Sequence, residues 1–509
     1  MCFVWHMGAR LWRWRRYILA LYRKFIVDNV LFPRWNGTSD ISVGMALAIS
    51  ALVGSNIVVS SIGVHDSTLL SARLSKLALV NAVPLFLGGR TNLWANSICG
   101  LSLANYGVLH RWLGRIFVVQ SVTHGLLRAA NSSWRFTAME VTNLVVLCTI
   151  VMTSVLFIRR RFFELFLKSH SLLAFSLLAL VWFHIKKGMN FATVCLSTTT
   201  TLWVTQFIYW AGNLFFRNVG GYRNGVNSLV PICRDGKSAE LMSLQVSLRR
   251  PWRVRHGQYA YITIPSIPRA AFATLQSHPY LLAWASEEPS HLSKEVTFIV
   301  EGRNGFSDRL RQCTEPRSVI VDGPYDQNIE LDNFDKVLFV ANDVGIVAHL
   351  LAIRHLLHGH DDKTVRARRI SLLWMLKERE QENIARQYLE RLMGKDTRRI
   401  FTILICYPKS VISEGDATDH EIPRLFRTDT PLDLKWYFKT ECSAEAGNMA
   451  LSLCGTPQLE QHVRRALQRA FCDITLYTSA FKMDENMYSR ELTRKIVRQD
   501  QISSVPLDI

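Results

Sequence analysis

Four histidines fall at two equal intervals of fourteen residues within the apolar part of a 509-residue chain: His110 and His124, then His170 and His184. At about 100° per residue, fourteen residues make almost four helical turns, so each pair projects from one face of its helix. The two members then stand ~21 Å apart along the axis, most of a hydrocarbon core of ~30 Å. Two such helices side by side can hold two haems, one above the other. Iron ligated by imidazole on both faces has no open position, so it carries electrons rather than binding oxygen. A proton relay or a path for metal ions is the other reading of intramembrane histidines. Arg111 and Arg115 flank His110 and are candidates for pairing with haem propionates, or for contact with lipid headgroups.

The surrounding chain sets the frame for that pattern. Residues 41–215 contain long apolar runs such as ISVGMALAISALVGSNIVVSSI (41–62) and VTNLVVLCTIVMTSVLFI (141–158), whereas beyond Arg223 the runs are short and charge is frequent. We read six spans, at 41–62, 74–89, 103–127, 138–158, 163–186 and 190–213, the second weakened by Asn81 and Pro84. The formal charge of +19 lies largely beside these spans, at Arg13, Arg15, Arg16, Arg23, Lys24, Arg159, Arg160 and Arg161. Orientation by positive charge accounts for it, and no nucleic-acid module accompanies it. Both termini then face the cytosol. His110 pairs with His170 at the inner level, and His124 with His184 at the outer. The sequon Asn131-Ser132-Ser133 falls outside. Residues 1–40 read as a basic amphipathic segment on the inner membrane surface, with an additional poor span as the alternative. The ten cysteines show no CxxC pair and fit a reducing compartment.

The second half changes rhythm twice. Residues 222–333 alternate in short strands with Gly and Pro breaks, as a small antiparallel β-barrel does. Residues 334–483 alternate strands (336–341, 370–376, 401–406, 449–454, 473–478) with helices (346–358, 380–394, 457–471), the pattern of a parallel α/β sheet. Residues 484–509 form a charged, loose C-terminal tail.

VLHRWLGRIFVVQSVTHGLL (108–127) and LALVNAVPLFLGGRTN (77–92) resemble the ferric reductase transmembrane domain shared by fungal ferric-chelate reductases and NADPH oxidases. The equal histidine spacing is more similar to the metalloreductase branch. The resemblance implies a membrane α-helical bundle with two b-type haems. A ferredoxin-reductase-like module follows, with an FAD-binding barrel and a Rossmann-like NAD(P) lobe. His278-Pro279-Tyr280 resembles the family's flavin motif, although Leu281 replaces its hydroxyl residue. GRNGFSDRL (302–310) resembles its Arg-x-Gly-Phe-Thr run, which implies FAD contacts from Arg303, Gly305, Phe306 and Ser307. For NADPH the resemblance implies Gly323, Pro324, Gly345, Ile346, Cys454, Gly455 and Pro457, and for stacking on the flavin, Phe481. One departure stands out. Where the family has a glycine-rich turn, this chain has Asn342-Asp343-Val344-Gly345, which sets a carboxylate where a diphosphate is expected.

The resemblance implies an oxidoreductase of the NADPH-dependent ferric-chelate reductase type in the plasma membrane. Electrons would pass from cytosolic NADPH through FAD and two haems to an extracellular ferric or cupric chelate, with an iron or copper permease as partner. No acid–base pair or nucleophile is required, since the cofactors carry the chemistry. Two alternatives stay open: a superoxide-generating NADPH oxidase, and a haem-binding membrane protein whose nucleotide site has degenerated.

Overall fold

A computed structural model describes residues 30–32, 41–130, 137–185, 190–219, 227–232, 241–265, 277–286, 292–301, 316–325, 329–407, 424–429, 432–470 and 474–478. The chain divides into two compact units, one ending at Ala211 and the other beginning at Gly212. Arg303, Gly305, Phe306, Ser307, Phe481, the sequon, most of the N-terminal segment and the C-terminal tail lie outside the described residues.

The first unit opens with a short antiparallel pair, β1 (Val30–Phe32) and β2 (Ile41–Ser42), followed by helices. These are α1 (Val43–Ser61), α2 (Ser67–Leu85), α3 (Leu93–Cys99), α4 (Leu103–Ala129), α5 (Ala138–Thr153), α6 (Leu156–Arg161), α7 (Phe163–His184) and α8 (Phe191–Asn218). Side-chain caps fix several starts: Ser42, Asp66 and Ser102 each accept the backbone N–H three residues on, and Thr137 with Glu140 forms a capping box. Among the described residues, two helical stretches, Val43–Ser61 and Leu165–His184, are long and apolar enough to cross a membrane by length and composition. Apolar side chains point outward all the same, Leu172 at 65% and Phe183 at 74% exposure. Exposed apolar surface of that extent suits contact with lipid or a partner.

Two of the expected spans differ in detail. The second begins at Ser67 because Asp66 caps it, and it holds Asn81 without loss. Asn81 Nδ2 donates to Asn56 Oδ1 at 2.7 Å and to Gln120 Oε1 at 2.9 Å, and Gln120 Nε2 donates to Asn56 Oδ1 at 2.9 Å. This closed amide cluster joins α1, α2 and α4, the way polar side chains join helices in an apolar medium. Pro84 sits one residue before the helix end, where a missing N–H disturbs little. The expected span 138–158, in contrast, is two helices. Thr153 Oγ1 and Ser154 Oγ bond back to the carbonyls of Thr149 and Ile150, competing with the helical ladder, and the chain breaks at Ser154–Val155.

The second unit begins with a seven-stranded antiparallel sheet of β3 (Ser228–Ile232), β4 (Leu241–Trp252), β5 (Tyr259–Thr263), β6 (His278–Ala285), β7 (Ser293–Glu301), β8 (Arg317–Ser318) and β9 (Ile320–Tyr325). Its order is β8-β3-β4-β7-β6-β5-β9. The two edge strands are separated in sequence only by Val319, so the sheet curls into a nearly closed barrel. Asn218, at the end of α8, spans the remaining gap. Its side-chain amide donates to Val321 O at 2.8 Å and accepts the Val321 N–H at 2.9 Å, pairing with β9 as a strand would.

A six-stranded parallel sheet follows: β10 (Lys336–Asn342), β11 (Arg369–Met375), β12 (Phe401–Cys406), β13 (Leu425–Thr428), β14 (Met449–Cys454) and β15 (Ile474–Thr478). Its helices are α9 (Val347–Asp361), α10 (Glu382–Lys395), α11 (Leu434–Ala444) and α12 (Pro457–Ala470). β13 and α11 were not expected from sequence. The strands β10, β11 and β14 are almost wholly buried, as central strands covered on both faces must be. The order β13-β12-β11-β10-β14-β15 reverses between β10 and β14. That reversal is the topological switch point, and the crevice beyond the strand ends there is where ligands bind in open α/β sheets.

Candidate functional site

In the first unit, α2 packs on α4 and α5 on α7, and the structure brings His110 and His170 together. The rings of His110 (α4) and His170 (α7) lie 6.2 Å apart, centre to centre, with an interplanar angle of 69°. Two imidazoles on opposite faces of one metal ion, each with a nitrogen about 2.0 Å away, place their ring centres roughly 6 Å apart.

The supporting atoms decide which nitrogen carries the proton. The carbonyls at the end of α2 have no partner within the helix. Leu85 O instead accepts from Tyr106 Oη at 2.6 Å and from His110 Nδ1 at 3.1 Å. A carbonyl only accepts, so Nδ1 of His110 carries the proton and Nε2 keeps its lone pair. Ser154, freed by the break after α5, places Oγ 3.5 Å from His170 Nδ1. Phe166 packs against the same ring at 5.3 Å.

His124 is held similarly. His124 Nδ1 is 2.9 Å from the Ser71 carbonyl and 2.9 Å from its hydroxyl, which again assigns the proton to Nδ1. His184 ends α7 and is exposed. Arg115 stacks over Trp112 at 4.7 Å. Such hydrogen bonds behind a ligand fix its tautomer and ring orientation at metal sites. Sequence reading did not find Leu85, Ser71, Tyr106 or Ser154. Three of the contacts run through backbone carbonyls, which leave no side-chain signature.

In the barrel, β5 pairs with β6 in the register Ala260↔Tyr280, Tyr261↔Pro279 and Ile262↔His278. His278 and Tyr280 therefore share one face, and Pro279 the other. Burial pushes the His278 imidazole down to about 4, so it is neutral at physiological pH, and it pushes the Tyr280 phenol up. On the other side of β5, Tyr259, Tyr261 and Tyr325 form a ring cluster with centres 5.5 to 5.9 Å apart, another feature not singled out from sequence. Gly323 lies against β5, where a side chain would stand 2.9 Å from Ala260 Cβ. Its φ of +151° is also one that favours glycine.

At the switch point two turns interlock. Asn342 Oδ1 accepts the Thr456 N–H at 3.0 Å, and Gly455 leaves room for that amide, since a Cβ there would stand 2.4 Å from Oδ1. Gly345 lies on the Cys454 carbonyl, which a Cβ would approach to 2.3 Å. Pro457 opens α12, where its missing N–H costs nothing. The side chains of Ile346 and Cys454 are fully buried. Burial pushes the Cys454 thiol up to about 12, so it is a neutral thiol packed at a strand end. Asp343 occupies the left-handed region at φ 49°, which Asp tolerates. Its carboxylate turns to the end of β11, pairing with Lys377 Nζ at 2.9 Å and accepting the Lys377 N–H at 3.2 Å. The negative charge expected at the diphosphate position is thus offset by a lysine.

Residues 74–181 match the ferric reductase like transmembrane component, and residues 235–329 match an FAD-binding domain. The first match includes His110, His124 and His170, and the second includes the His278–Tyr280 motif. The chain is similar to ferric/cupric reductase transmembrane component 2 of Saccharomyces cerevisiae, with 23% identity over 58% of this chain and 42% of that protein. It is also 23% identical to component 7 of the same yeast, over 70% of this chain and 57% of that one. It therefore spans about half the length of these curated relatives. Among solved structures, a ferredoxin NADP+ reductase from Neisseria gonorrhoeae aligns at 10% identity and a TM-score of 0.36, covering 50% of this chain and 97% of that one.

Proposed function

We propose that this chain is a transmembrane oxidoreductase that takes electrons from cytosolic NADPH and delivers them to a ferric or cupric chelate on the other side of the membrane. It would employ FAD and two b-type haems. The observation that carries this reading is the facing of His110 and His170 at 6.2 Å with the His110 proton held on Nδ1. Nε2 of His110 then keeps the lone pair with which it would hold a metal opposite His170. His124, anchored on Ser71, and His184 would hold the second haem one level further out.

When bound, the haems and the flavin supply one-electron chemistry that no side chain of this chain can. The protein's part is to hold and orient. The Leu85 and Ser71 carbonyls lock the tautomers of His110 and His124, which with His170 and His184 would hold the haems. In the barrel, His278, Pro279 and Tyr280 would hold the isoalloxazine, with His278 neutral through burial. At the switch point, Gly345 and Gly455 let the two turns interlock, and Lys377 lowers the repulsion that Asp343 would exert on a diphosphate.

The reduced metal would pass to an iron or copper permease, with the plasma membrane as the site and both termini cytosolic. Ferric-chelate reduction by the purified, haem-loaded chain tests the acceptor. We expect NADPH-dependent reduction that persists undiminished when superoxide dismutase is added. Its abolition by the dismutase instead identifies oxygen as the acceptor and the chain as an oxidase.

A further inference from the structure

We propose that His256, Asp332 and His355 form a binding site for a first-row divalent transition-metal ion, where the barrel meets the parallel-sheet lobe. None of the three belongs to the residues assigned above to haem, FAD or NADPH.

They arrive from three separate segments. His256 lies in the turn between β4 and β5, a turn held by the Arg255 N–H donating to Gln258 Oε1 at 2.9 Å. Asp332 lies in the link from β9 to β10, where its carbonyl accepts the Arg366 N–H at 2.9 Å and the preceding Leu331 is buried. His355 lies on α9. That helix is fixed against the barrel by the neighbouring Arg354, which donates to Ala285 O at 2.8 Å and stacks over Trp284 at 4.8 Å. The three side chains meet on positions that the fold already determines.

Their geometry is close to that of a ligand set. His355 Nε2 is 2.8 Å from Asp332 Oδ1, and the His256 and His355 rings lie 4.9 Å apart. One candidate donor atom from each residue lies within 4.8 Å of the other two. Ligands about 2.0–2.2 Å from one ion sit roughly 3 to 3.5 Å from each other, so small side-chain rotations suffice. Two imidazoles with one carboxylate suit zinc, copper, nickel or iron rather than calcium or magnesium, which require oxygen donors. The His355 and Asp332 side chains are 42% and 50% exposed, which gives an ion access and leaves a coordination position for water. An ion bound here ties the β4–β5 turn, the interlobe link and α9 together, and so stabilises the folded state by mass action.

Cobalt titration of the full chain, solubilised with its haems and stripped of loosely held metal by a chelator, tests this. We expect one Co2+ per chain with the visible absorption of a low-symmetry nitrogen–oxygen site, displaced by Zn2+, and a rise in thermal midpoint on adding Zn2+. His256→Gln and His355→Gln should each weaken cobalt binding at least about tenfold and abolish the zinc-induced rise. Their haem content and metal-free midpoint should match the parent chain, which separates a lost site from a lost fold. Absence of cobalt uptake by the parent chain overturns the proposal. So does unchanged cobalt affinity in the double variant H256Q/H355Q.

Discussion

His110→Ala and His170→Ala are each expected to remove one of two haems per chain and to cut NADPH-driven chelate reduction to about a hundredth or less. Loss of an axial imidazole abolishes ligation outright, whereas loss of a group behind a ligand costs about 10–100-fold. The informative comparison uses double variants, with haem measured as the pyridine haemochrome. Because the structure faces His110 to His170 across two helices, H110A/H170A should retain one haem, held by His124 and His184. H110A/H124A empties one helix and should lose both. Retention of one haem by H110A/H124A would mean that each helix holds its own haem, and the pairing by depth would be wrong.

Gly345→Ala should have the next largest effect, confined to the second unit. The new Cβ would stand 2.3 Å from the carbonyl oxygen of Cys454. That oxygen is backbone, in a strand paired with β10, so neither turn can give way without breaking the sheet at the switch point. Overpacking of this kind costs about 1–3 kcal/mol and displaces the two turns. We expect NADPH-driven reduction to fall at least about tenfold, with haem content and reduction by dithionite unchanged. Trimming the side chain in C454A should not rescue it, because the clash is with the main chain. Gly455→Ala is the milder control, since its clash is with the rotatable Asn342 amide, and about 1 kcal/mol for the lost Thr456 hydrogen bond is the expected scale.

The facing of His110 and His170 was legible because helical period converts spacing into direction. The five strands 336–341 to 473–478 were legible because buried parallel strands are continuous apolar runs. β13 was not, being the four residues LFRT, half of them exposed. The break in the expected span 138–158 depends on where the Thr153 and Ser154 hydroxyls bond, and a hydropathic run does not record that. What positions His110 and His124 is main-chain carbonyl, invisible to any reading of residue types.

Asp343 is the instructive case. Read alone it is a carboxylate in a place meant for phosphate. In the fold, β10 and β11 are parallel in the register Asn342↔Met375, so the residues just beyond both strands meet. Lys377, 34 positions on, becomes its partner. The charge was legible; its neutralisation required the topology.

The path from nucleotide to haem is tested most directly by an anaerobic reduced-minus-oxidised spectrum of the full chain with NADPH as the only donor. The haem bands are expected to develop to nearly the amplitude that dithionite gives. Full reduction by dithionite with none by NADPH would contradict this and leave a haem-binding membrane protein without a working nucleotide site.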